Sequence, residues 1–119
     1  NLLYTYGVRA GRLTRNQFAA AIATGAAKIF GMYPEKGTVA VGSDADLVIF
    51  DPSRKGEVSA RTTRHNVDYS AFEGLKLDGL PAFVISRGKV VAKYNEFTGE
   101  KGHGRYLKRK KFDAAEWCH

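Results

Sequence analysis

The hydrophobic period of this chain changes near Gly37, and any fold it adopts must accommodate that change. Before this point the apolar residues recur at helical spacing. Leu2, Leu3 and Tyr6 suit a short helix over residues 2–10, closed by Gly11. Thr14 is a good N-cap, and Gln17 three residues later completes the capping-box pattern. Phe18, Ile22, Ile29 and Phe30 then share one face, with alanines between them, so the spacing predicts a second helix ending at Gly31 with Pro34 just beyond. Phe18 and Phe30 read as core residues.

After Gly37 the pattern is that of short strands. Thr38 to Val41 is a β-branched run, Gly42-Ser43-Asp44 a turn, and Leu47 to Phe50 an apolar strand ended by Asp51-Pro52. Glu57 to Arg61 suits a brief strand and Asn66 to Gly79 a loop. Phe83–Ser86 and Lys89–Ala92 flank Arg87-Gly88 as a hairpin. From Asn95 the chain is polar, glycine-rich and then basic. Four to six short strands make one sheet whose apolar face must be covered, and the two helices cannot easily cover it while burying their own stripe. The expectation is therefore an excerpt of a larger structure, consistent with a first residue that is not Met.

At 119 residues this is a single-domain length, with a globular composition of 44% hydrophobic and 26% charged residues. No apolar run is long enough to span a membrane. The N-terminus carries no secretory pattern, and the single cysteine, Cys118, leaves no intrachain disulfide, so a reducing, cytoplasmic compartment is expected. The net charge of +7 is concentrated between Glu100 and Phe112, where Lys101, Arg105, Lys108, Arg109, Lys110 and Lys111 face one acid. Without stacking aromatics on strand spacing or a nucleic-acid motif, this run reads as a solvated tail or an arm on a partner subunit, with no nucleic acid expected.

Several residues invite a chemical reading. Asp44 and Asp46 form a D-x-D, but two carboxylates are too few for an enclosed hard cation, which wants about six oxygens. They are expected to be turn residues accepting backbone N–H bonds. Gly37, Gly42, Gly74 and Gly88 suit turns, with no G-x-G-x-x-G cradle. Ser43 has no partner base, and Cys118 lacks a histidine constellation. Asp68, Tyr69 and Glu73 occupy a loop that suits either function or packing between subunits.

The stretch Ala26–Pro52, AAKIFGMYPEKGTVAVGSDADLVIFDP, resembles the C-terminal region of the amidohydrolase superfamily. With HNVDYSAFEG (His65 to Gly74) and GHGRYLKR (Gly102 to Arg109) it is similar to the dihydropyrimidinase and D-hydantoinase branch, over residues 1 to about 112. The resemblance implies an α/β chain in three parts. Residues 1–33 would be the last helices of a (β/α)8 TIM barrel, 34–99 the C-terminal strands of a β-sandwich domain, and 100–119 a basic tail. It implies a parent enzyme that hydrolyses the ring amide of dihydropyrimidines or hydantoins to N-carbamoyl amino acids with two divalent metal ions, usually zinc. It also implies a homotetramer with the tail at subunit contacts, Arg105, Tyr106 and Leu107 serving as anchors.

The family's ligands are an HxH pair, a carboxylated lysine, two further histidines and an aspartate. His65, His103 and His119 match none of these, so no catalytic, cofactor-binding or metal-binding residue transfers to this chain. Collapsin response mediator-like scaffold proteins share the fold without the ligands and are the alternative from another class. Allantoinases and dihydroorotases match less well between His65 and Gly74. A free-standing basic interaction module would require these residues to fold alone.

Overall fold

The computed structural model describes residues 1–63, 66–112 and 114. His65, Trp117, Cys118 and His119 lie outside the described residues. Residues Tyr4–Arg9 form a short helix with π-type hydrogen bonding. The second helix runs from 15 to 29 as three successive segments, Arg15–Ala19, Ala20–Thr24 (π-type) and Gly25–Ile29. Its start is the capping box expected from Thr14 and Gln17. The Gln17 N–H donates to Thr14 Oγ1 at 3.2 Å, and the Thr14 N–H donates to Gln17 Oε1 at 2.9 Å.

Four strands follow in one antiparallel sheet of order β1-β2-β3-β4: β1 (Leu47–Glu57), β2 (Lys76–Ser86), β3 (Lys89–Lys93) and β4 (Glu96–Phe97). Arg87 and Gly88 both have positive φ, 46° and 79°, which is the primed turn a two-residue hairpin needs. Tyr94 and Asn95, at 47° and 73°, turn β3 into β4 in the same way.

The sheet departs from the sequence expectation at four places. Thr38–Val41 is not a strand but an irregular, mostly exposed segment. Asp51-Pro52 does not end β1. The register shifts between Asp51 and Lys55, and Asp51 Oδ1 accepts the Ser53 N–H at 2.9 Å, so the irregularity is absorbed as a bulge and pairing resumes at Lys55↔Asp78. Glu57 is therefore the last residue of β1 rather than the first of a new strand. Finally, Lys76–Gly79 belongs to β2, with Gly79 at φ 97° packed where a Cβ would meet the rings of Phe50 and Tyr4.

Those rings join helix to sheet. The Tyr4 ring lies 4.5 Å from that of Phe50 on β1 and 5.7 Å from that of Phe18 on the long helix, centroid to centroid. Among the described residues the buried apolar side chains are Tyr4, Ala27, Leu77 and Ala82. Phe30, expected in the core, is 51% exposed, and Ile22 and Ile29 on the same stripe are exposed as well. On β1, Val48 and Ile49 point to opposite faces of the sheet and are 59% and 51% exposed. Among the described residues, both faces of β1 at Val48 and Ile49 and the helical stripe at Ile22, Ile29 and Phe30 thus stay exposed.

Candidate functional site

The densest polar constellation lies where the segment after the long helix meets the β2–β3 turn and the tail. Lys36 Nζ sits 2.7 Å from Asp44 Oδ2 and also pairs with Asp46 Oδ2. Arg105, from the tail, donates to both Asp44 oxygens at 3.0 and 2.9 Å and to Glu35 Oε1 at 2.8 Å. Asp46 Oδ1 accepts the Arg87 N–H at 2.8 Å, and Arg87 in turn donates from its guanidinium to the His103 carbonyl. One network therefore ties three separate stretches of chain together.

The Lys36 ammonium, hydrogen-bonded to Asp44 and assisted by Arg105, holds the Asp44 carboxyl below its ordinary value. Burial opposes ionisation of Asp46, but Lys36 and the Arg87 N–H outweigh it, and its value is lowered too. The same two carboxylates raise Lys36 against its own desolvation. All three groups stay charged at neutral pH, which suits a fixed ionic tie rather than proton transfer.

Cationic side chains engage both carboxylates of the D-x-D pair. Lys36 occupies the position between Asp44 and Asp46 that a bridging divalent cation would take, and Arg105 neutralises Asp44 from the other side. Both carboxylates thus have cationic partners within the chain where a metal ion would otherwise sit. Among the described residues no group of three His, Cys, Asp or Glu side chains could hold one. Asp46 accepts a backbone N–H as expected, although from the distant hairpin rather than its own turn.

The other tempting residues take structural places. Ser43 Oγ donates to the Pro34 carbonyl at 2.7 Å. Glu73 Oε2 accepts the Ala60 N–H at 2.7 Å, across the neck of a loop closed by bonds between Val58 and the pair Gly74 and Leu75. Asp68 and Tyr69 are exposed in that loop. Gly37, Gly42, Gly74 and Gly88 all have positive φ, as turn glycines do. Arg105, expected to anchor a neighbouring subunit, is instead engaged by Glu35 and Asp44 of its own chain, while Tyr106 is 91% exposed.

No sequence spacing pairs Arg87 with His103, or Glu35 with Arg105, which lie 70 residues apart. A signal was present: three acids between Glu35 and Asp46 in a chain of net charge +7 make a natural seat for a basic tail.

A second feature is an apolar cleft of about 830 Å³, lined by residues including Leu3, Leu77, Leu80, Val84 and Tyr94, with Arg54 at its side. Arg54 is already committed, donating to the Pro81 carbonyl at 2.8 Å and lying 5.1 Å from the Tyr94 ring.

With this geometry in hand, the likenesses to known proteins are specific. The profile of the Amidohydrolase family matches residues 2–91. The chain is 48% identical over 114 residues to a D-hydantoinase of Geobacillus stearothermophilus, covering 96% of this chain and 24% of that protein. It is 43% identical over 112 residues to a dihydropyrimidinase of Rattus norvegicus, covering 94% of this chain and 22% of that one. A solved D-hydantoinase (dihydropyrimidinase) from Thermus sp. superimposes with a TM-score of 0.90 at 53% identity, over 94% of this chain and 24% of its own. The chain spans about a quarter of the length of these relatives.

Proposed function

Because this chain belongs to the amidohydrolase family, we propose that it is the C-terminal portion of a cyclic amidohydrolase of the hydantoinase and dihydropyrimidinase kind. The observation that carries this reading is the correspondence with D-hydantoinase, 0.90 in TM-score at 53% identity over 94% of the chain. Identity of 53% over 94% of the chain goes beyond what a shared fold alone demands.

In this reading the reaction adds water across a ring amide. The C–N bond breaks, the carbonyl carbon becomes a carboxylate, and the ring nitrogen leaves as part of a carbamoyl group. Two divalent cations, zinc by resemblance, supply the metal chemistry and are held by residues other than these 119. The helices at 1–33 close the barrel, the strands at 34–99 form part of a β-sandwich, and the ionic tie around Asp44 fixes the tail against both. The compartment is the cytoplasm.

The test is to express residues 1–119 together with the reading frame that precedes them, and to assay ring opening of a 5-monosubstituted hydantoin and of dihydrouracil. Hydrolysis of either supports the proposal. A folded, metal-loaded protein inert on both contradicts it and favours an allantoinase- or dihydroorotase-type substrate, whereas a folded protein that takes up no metal contradicts it and favours a scaffold role.

The tail is also assigned to subunit contacts in a homotetramer, through its exposed aromatic Tyr106. Truncation after Gly99 is expected to lower the oligomeric state more than the metal content. Light scattering that shows an unchanged tetramer contradicts that assignment.

A further inference from the structure

The tail is fastened at two ends. Near its start, His103 lies against the β2–β3 hairpin, and further on the Lys110 N–H donates to the Gly31 carbonyl at 2.8 Å. Between them Arg105 is bound to Glu35 and Asp44. The first fastening differs from the other two because it depends on the protonation of a neutral ring.

His103 Nε2 is 3.1 Å from the Ser86 carbonyl oxygen. A carbonyl can only accept, so Nε2 carries the hydrogen, and the tautomer follows from its partner. Nδ1 is then the bare acceptor, and Arg87 NH2 stands 3.4 Å from it. The same guanidinium nitrogen donates to the His103 carbonyl, so Arg87 holds residue 103 by both ring and backbone. The arrangement is complete only for the neutral imidazole. Adding a proton at Nδ1 removes the acceptor and sets an imidazolium against a guanidinium, which cannot give up its own charge.

We infer that His103 is a protonation-controlled clasp: neutral, it gives Nε2–H to Ser86 and takes the Arg87 guanidinium at Nδ1, and protonated, it sets two cations against each other and loosens residue 103 from the β2–β3 turn. Most of the other charged groups on the elements meeting there are committed elsewhere, and Lys101, two residues before His103, is exposed to solvent. Lys89 of β3 pairs with Glu100 of the tail at 3.2 Å, and Lys36 pairs with Asp44 and Asp46. Asp46 also accepts the Arg87 N–H, and Arg105 is held by Glu35 and Asp44. Asp46 is thus the only carboxylate among these bonded to Arg87, through its backbone rather than its guanidinium, so it leaves the side-chain charge facing His103 in place. A proton at Nδ1 therefore acts on this clasp and leaves the carboxylate ties in place.

The test is amide exchange and ring-nitrogen NMR on the complete chain from pH 8 to pH 5.5. At pH 8 the His103 ring is expected as the Nε2–H tautomer. Protection of the His103 amide, which donates to the Glu100 carbonyl at 3.3 Å, is expected to fall about three- to tenfold on acidification after correction for intrinsic exchange, the weight of roughly one hydrogen bond. His103→Gln, which keeps a neutral donor and acceptor, is expected to flatten that response. Arg87→Met is expected to flatten it as well, from a lower starting protection, because the opposing charge is gone. An Nδ1–H tautomer at pH 8, a pH-independent His103 amide, or a Gln variant that responds like the parent overturns the inference.

Discussion

The backbone N–H of Lys110 donates to the carbonyl of Gly31, and the Lys110 carbonyl lies in the space that a Cβ on residue 31 would fill. Gly31 has φ of 65°, a conformation side chains rarely adopt. The end of the long helix and the basic tail thus depend on one missing methyl group.

Gly31→Ala is expected to strain the backbone and push the tail away, at a cost of about 1–3 kcal/mol. Urea unfolding measures the loss, and amide exchange at Lys110 shows whether the tail is the part released. Gly42→Ala, also at positive φ but with open space around it, is expected to cost less, since only the backbone term applies.

The aromatic contact between helix and sheet gives a second expectation. Tyr4 is buried against Phe50 and Phe18. Tyr4→Ala is expected to destabilise the chain by about 3–5 kcal/mol, as large aromatic truncations in cores do. Tyr106→Ala, at an exposed position, is expected to change stability by less than about 0.5 kcal/mol. Chemical denaturation of the pair separates packing from surface effects.

The ionic tie predicts a pH profile. Asp44 and Asp46 titrate below their ordinary 3.8 in the folded chain, chiefly through Lys36 and Arg105 for the first and Lys36 and the Arg87 N–H for the second. Their contribution is present above about pH 4 and is lost as pH falls through the lowered values. Lys36 is raised above 10.5, so its contribution holds below that value and disappears only as pH climbs through the raised one. Asp46→Asn is expected to flatten the acid limb of stability against pH and leave the neutral region nearly level. Denaturant midpoints at pH 2 to 8 provide the check.

Local chemistry made much of the fold readable. The capping box at Thr14, the Arg87-Gly88 hairpin and the turn glycines each follow from residues a few positions apart. The failures are at places where distant partners decide. Asp51-Pro52 reads as a strand end, but β2 continues alongside and carries β1 past it as a bulge. Phe30 belongs to a convincing helical stripe, yet no described part of the chain covers it. The hairpin at Tyr94-Asn95 had a signal in Asn95, a residue tolerant of positive φ, which was read as the start of the tail. As for the site, Asp44 and Asp46 were seen together, whereas Lys36, Arg87, His103 and Arg105 come to them through tertiary contacts that no spacing encodes.

In the proposed reading the catalytic centre lies outside these 119 residues. The most direct test is to purify the chain alone, load it with zinc, and measure both bound metal and opening of a hydantoin ring. The expected result is no stoichiometric zinc and no hydrolysis above the buffer rate. Stoichiometric metal with ring opening by this chain alone would contradict the account.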